Sequence, residues 1–194
     1  MSNGNGYQAN EILDVVDDAD RVIGQASRAE VHDKGWFHRA VHVFLFNSRG
    51  HIYVQRRSIW KDRYPLKIDS SAAGHLDSGE SYWDAAKREL QEELDIMADI
   101  TCLMKVAACA ETDNEHVVLF KAQTDEIPIP NTDEICEGEF LCPSKLSELI
   151  TKNPMDLVPA FILLWKLYTK ADIHESCHSE SFRSRRPCGW GDSG

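Results

Sequence analysis

The segment Ser81–Leu94 restricts this chain more than any other, because it writes an amphipathic helix with acidic groups crowded on one side. At 100° per residue, Glu89, Glu92 and Glu93 fall within an arc of roughly 100°. Three like charges on one face repel, and without a partner they destabilise the helix. A divalent cation removes that conflict, and magnesium prefers hard oxygen ligands of this kind. Trp83, Ala86, Leu90 and Leu94 form the adjoining face, which is expected to pack on a sheet. Ser81 is placed to cap the first turn, with Asp84 three residues on. Taken alone, a glutamate-rich face is ordinarily just solvated.

The preceding loop changes that balance. Gly74 and Gly79 permit a tight turn and close backbone approach. Glu80 and Arg88 flank the helix start, at a spacing that suits an ion pair able to staple the loop and orient Glu89.

Elsewhere the chain reads as short strands broken by this helix. Strands are expected at Glu11–Asp17, His38–Phe46, His51–Arg57, Ile100–Cys109, Glu115–Thr124 and Gly138–Leu141. Turn signals at Asn47–Gly50 and at Thr112–Asn114 suggest two hairpins. Helices are expected at Ser27–His32, Ser144–Ile150 and Pro159–Thr169, and a loop at Trp60–Leu66. The order indicates a mixed α/β layer fold. Residues 1–10 read as a flexible lead-in, 11–172 as one domain, and 173–194 as a disordered polar tail.

The net charge of −11 over 194 residues argues against a nucleic-acid partner. An anionic small molecule would need bound cations or a few placed Arg and Lys side chains. The six cysteines make no CxxC pair, so no zinc knuckle is signalled. His174, Cys177, His178 and Cys188 in the tail match no standard zinc spacing. Cys102, Cys109, Cys136 and Cys142 read as buried or half-buried. The start lacks a basic, apolar leader, and Leu157–Leu167 is too short to span a bilayer. A cytoplasmic setting without membrane contact is expected, and a homodimer is left open.

Gly74, then Glu80, then the run Arg88-Glu89-Leu90-Gln91-Glu92-Glu93-Leu94 closely resembles the Nudix box. Asp95 stands where that pattern has Gly. The position follows the helix end, where a left-handed backbone is common, and Asp tolerates it at a small cost. The resemblance implies a Nudix-type α/β/α sandwich with a mixed sheet and a loop–helix catalytic motif. It implies magnesium, or manganese, and hydrolysis of a diphosphate linkage in a nucleoside diphosphate joined to another moiety. Glu92 and Glu93 would hold metal, and Glu89 would bind metal or activate water, with Arg88 orienting it and Glu80 assisting. Gly74, His75 and Glu115 are further candidates around the metal. Arg56, Arg57 and Lys67 are candidates for phosphate contacts. Trp36, Trp60, Tyr64, Phe140 and Trp165 are aromatic candidates for the rest of the substrate.

The flanks resemble isopentenyl diphosphate isomerase, a Nudix-fold relative whose single metal site uses three histidines and two carboxylates. The matching positions are His32, His38, His75, Asp113 and Glu115, with Asp113 where Glu is usual. That family uses a cysteine just before the Gly-His pair, and Ala73 stands there. The expectation is therefore a hydrolase of the isomerase-like branch, with isomerase activity or a non-catalytic binding module as alternatives.

Overall fold

The computed structural model describes residues 11–181, with side chains to residue 171. The lead-in at 1–10 and the end of the tail, 182–194, lie outside the described residues, as do the side chains of His174, Cys177, His178 and Cys188. The strands are β1 (Ile12–Val16), β2 (Val22–Ser27), β3 (His38–Phe46), β4 (Ile52–Arg57), β5 (Ile68–Asp69), β6 (Ala72–His75), β7 (Ile100–Val106), β8 (Glu115–Gln123) and β9 (Ile135–Leu141). The helices are α1 (Arg28–Lys34), α2 (Tyr82–Leu94), α3 (Pro143–Lys152) and α4 (Pro159–Ser181).

Alternation along the central strands builds two cores. On β3, Ala40, Phe44 and Phe46 enter one buried cluster, while Val41, Val43 and Leu45 enter another. On β8 the split falls between Val117 and Leu119 on one side and Val118 and Phe120 on the other. A strand buried on both faces needs helices on both faces. Ala85, Ala86, Leu90 and Leu94 of α2 cover one; Leu146, Ile150, Phe161, Leu164 and Trp165 of α3 and α4 cover the other. Each fully buried Leu or Phe contributes about 1.5–3 kcal/mol, so the sandwich is held mainly from these two clusters. Trp165 is 2% exposed and satisfies its indole N–H on Ser147 Oγ at 3.0 Å. Trp83 departs from expectation. It is 47% exposed and meets Phe120 only edge-on, because Ala85 holds the sheet-facing position instead.

The large sheet runs β5-β4-β3-β8-β7, with β6 also on β3 and β9 also on β4. β3 and β8 are parallel and their partners antiparallel, which makes the sheet mixed. The second expected hairpin is a full ladder, from Ile100↔Ala122 to Val106↔Val117. The first is a hairpin only at its tip, where Phe46 pairs Ile52. Beyond the tip the strands splay. β6 takes the edge of β3 from Ala40 to Val43, and β9 takes β4 from Ile52 to Arg57. The turn pins the closed end, while nothing in its residues fixes how far the pairing continues.

The α2 helix is closed at both ends. Ser81 Oγ accepts the Asp84 N–H at 3.2 Å. Asp95 sits at φ 54°, the left-handed cap expected of it. The loop before β9 adds two more donors, Ile129 N to Leu94 O and Asn131 N to Glu93 O. These bonds satisfy carbonyls that a helix end otherwise leaves open. The α4 helix continues to Ser181, past the domain end expected at 172, since the first Gly or Pro after Pro159 is Pro187. Cys102 and Cys136 are exposed rather than buried. Among the described residues, no helix is long and apolar enough to cross a membrane.

Candidate active site

Arg88 is the hub of the loop–helix motif. Its Nε and Nη2 fork onto the two Glu80 oxygens at 3.0 and 2.8 Å. Its Nη1 reaches Glu89 Oε1 at 2.7 Å and Glu92 Oε2 at 3.2 Å, and Nη2 also bonds the His75 carbonyl at 2.9 Å. One planar cation therefore ties the loop, β6 and the helix together, which a point-charge lysine could not do. Glu80 is itself pinned by the Asp77 N–H at 2.9 Å. The β1–β2 hairpin buttresses the same loop from outside, where Asp14 accepts from Gly79 N at 3.0 Å and from Ser78 Oγ at 2.8 Å.

Gly74 has a steric role. A Cβ added there would land inside the Glu89 carboxylate. Glu89 thus lies flat against the β6 backbone. The neighbouring Glu93 is 2% exposed and accepts from Gln55 Nε2 at 2.8 Å and Ala73 N at 3.1 Å. Burial, and then the Glu93 charge, push the Glu89 carboxyl up from its ordinary range. The three acidic groups are not equivalent, as their helical arc alone would suggest. Glu89 and Glu93 are buried, whereas the Glu92 side chain is 59% exposed at the mouth.

The histidines come from three separate elements and converge. His32 (α1), His38 (β3) and His75 (β6) bring ligand atoms within 4.8 Å of one another. Glu115, at the start of β8, lies 3.1 Å from His75 Nε2 and 3.6 Å from His38 Nε2. Asp113 lies 3.8 Å from His32 Nδ1. The sheet register makes this possible, since His38 pairs Glu115 and Ala40 pairs His75. Burial lowers His32 to about 3 and His75 to about 4. Against its burial, the His75 hydrogen bond and the nearby His38 imidazole hold Glu115 well below the usual carboxylate range. Burial of the His38 imidazole works to lower it, and the adjacent Glu115 carboxylate outweighs that and raises it.

Both groups open into one cleft of about 620 Å³. Arg57 lines it and bonds Asp69 Oδ2 at 2.9 Å. Arg56 and Lys67 do not belong to this wall. β4 alternates, so Arg56 turns to Glu137 and the Leu66 carbonyl, and Lys67 lies over the Tyr64 ring. Of the five aromatic candidates, Tyr64 lines the cleft. Sequence reasoning missed Arg28, Lys61, Arg63 and Gln55. Lys61 is buried between Glu93 (3.6 Å) and Glu134, and its ammonium is lowered by desolvation. No periodicity marks it, because it sits in an irregular loop.

Fold and cleft together define a class: a three-layer α/β/α protein whose loop–helix motif presents buried carboxylates, backed by an arginine fork, to a pocket with cationic walls. The NUDIX domain family model matches residues 36–161. An uncharacterized Nudix hydrolase of Nostoc sp. is 37% identical over 147 residues, covering 74% of this chain and 87% of its own length. Isopentenyl-diphosphate Delta-isomerase 2 of Photorhabdus laumondii is 32% identical, covering 74% and 84%. A crystal structure from Deinococcus radiodurans superposes with a TM-score of 0.66 at 32% identity, covering 74% of this chain and 90% of that one. The chain belongs to the Nudix hydrolase family.

Proposed function

We propose that the protein hydrolyses a diphosphate linkage in a nucleoside diphosphate joined to another moiety, with magnesium or manganese held at Glu89, Glu92 and Glu93. The observation that carries this reading is the buried Glu89–Glu93 pair beneath the Arg88–Glu80 fork. The donor set fits a cation. Glu93 Oε1 is buried without a hydrogen bond, the Lys61 ammonium standing 3.6 Å away, and such an oxygen retains capacity for a closer ligand. When bound, magnesium supplies charge neutralisation to the diphosphate and acidity to a water.

The chain's own residues do the rest. Glu80 fixes the Arg88 plane, and Arg88 fixes Glu89 Oε1. Held in place by Arg88, Glu89 is positioned to ligate metal or to take a proton from an attacking water. Gly74 lets that carboxylate lie where a side chain would block it. Arg57, Lys61 and Arg63 supply positive charge along the wall for the phosphate oxygens.

The convergent histidines favour a second cation held by His32, His38, His75 and Glu115, with Asp113 alongside. His32 Nε2 and His38 Nε2 are buried without hydrogen bonds, as a ligand set would be. Together with the isomerase relatives, this cluster supports isomerase chemistry as the second reading. Against it, Ala73 lies on β6 beside Glu93 and offers the cleft a methyl group where a thiol acid–base would be needed. The test is a panel of diphosphate compounds incubated with magnesium. Release of phosphate or a monophosphate is expected; conversion of isopentenyl diphosphate without phosphate release would favour the isomerase reading.

A further inference from the structure

The floor of the cleft carries a histidine that neither cation group uses. His42 lies on β3, is 4% exposed and lines the cleft. Its Nδ1 is 2.7 Å from Ser70 Oγ. Ser70 is fully buried, and its N–H donates to Asp69 Oδ1 at 2.8 Å, while Asp69 Oδ2 is held by Arg57. The imidazole is therefore fixed in orientation by one nitrogen. Among the described residues Nε2 has no hydrogen-bond partner, and apolar Val158 and Ala160 line the same cleft.

We infer that His42 is a specificity-determining residue, whose Nε2 bonds a hydroxyl on the group attached to the diphosphate. This rests on the hydrolase reading and narrows its substrate class. A hydroxyl both donates and accepts, so it satisfies Nε2 in either tautomer. An alkyl or prenyl chain seated there would strip water from Nε2 and return nothing, and a polar site left unpaired rejects such an analogue. The cleft floor accordingly favours a sugar or nucleoside moiety over a prenyl one.

The experiment compares the full chain with His42→Leu and His42→Gln. Each is titrated by calorimetry, in calcium to suppress turnover, with ADP-ribose and with dimethylallyl diphosphate. Hydrolysis of both is then followed in magnesium. The parent should bind ADP-ribose at least tenfold more tightly. His42→Leu should erase about tenfold of that preference by weakening ADP-ribose alone, and His42→Gln should restore part of it. Equal binding of the two compounds by the parent, binding of neither, or an equal loss on both in His42→Leu overturns the inference. Absent turnover by the parent on every diphosphate would sink the hydrolase reading instead, while the binding ratio still decides the role of His42.

Discussion

The two walls of the cleft are built in opposite ways. On the helix wall a cation, Arg88, is ringed by the carboxylates Glu80, Glu89 and Glu92. On the histidine wall a carboxylate, Glu115, is ringed by imidazoles. The first wall comes from one loop and one helix, and local geometry assembles it. The second needs α1, β3, β6 and β8 in correct register, since a one-residue slip of β8 would turn Glu115 to the opposite face. The helix wall is thus a property of a segment, and the histidine wall a property of the fold.

The largest effect should fall on the helix wall. Glu93→Gln or Glu89→Gln should lower kcat by about 10³-fold with magnesium, within the range of lost acid–base groups. Circular dichroism should show the fold unchanged. Full activity in both variants on a substrate that the parent cleaves would remove the helix from the chemistry. Gly74→Ala comes next. The new methyl must displace the Glu89 carboxylate, and a shift of about 1 Å in a positioned group costs about 10²-fold. Because Gly74 holds no positive φ and Ala costs a strand less entropy than Gly, the melting temperature should move little, so lost activity without lost stability separates displacement from unfolding.

Glu115→Gln tests the other wall with a smaller effect. Manganese titration of the parent should give two cations per chain, and the variant should keep one. Rate should fall by about tenfold, the lower end for altered metal surroundings. A parent that binds a single cation, lost in Glu93→Gln but kept in Glu115→Gln, would leave the histidine wall without metal.

How much of each wall was legible follows from the same contrast. Arg88, Glu89, Glu92 and Glu93 sit at spacings that a helix brings to one side, and the short loop returns Glu80 to Arg88. His32, His38, His75, Asp113 and Glu115 could be picked out by family resemblance, yet only the β3–β8 and β3–β6 registers bring them together. Lys61 was invisible because a loop has no period. Arg56 and Arg57 look alike in sequence, and strand alternation alone sends one to the cleft and the other to Glu137. The splaying of β3 from β4 was unreadable for a related reason: β6, a four-residue strand ending in the Gly74–His75 pair, is too short to carry an alternation of its own.

The smallest effect concerns the one departure from the helix-wall pattern. Asp95 holds a left-handed backbone, φ 54°, that glycine adopts without a Cβ clash. Its carboxylate also stands at a helix C-terminus, where negative charge is unfavourable. Two terms oppose replacement: Gln91 Nε2 donates to Asp95 Oδ1 at 2.6 Å, and glycine gains freedom in the unfolded chain. That hydrogen bond is exposed and worth a fraction of its gross strength. Asp95→Gly should therefore stabilise the protein by about 0.5–1 kcal/mol, read as a melting temperature higher by about 1–4 °C. Its kcat should stay within about twofold, because the residue closes the helix end rather than the cleft. Destabilisation would show that the Gln91 bond outweighs the backbone strain. A rate change above about tenfold would mean that the helix wall extends to its last turn, and is less local than its contacts suggest.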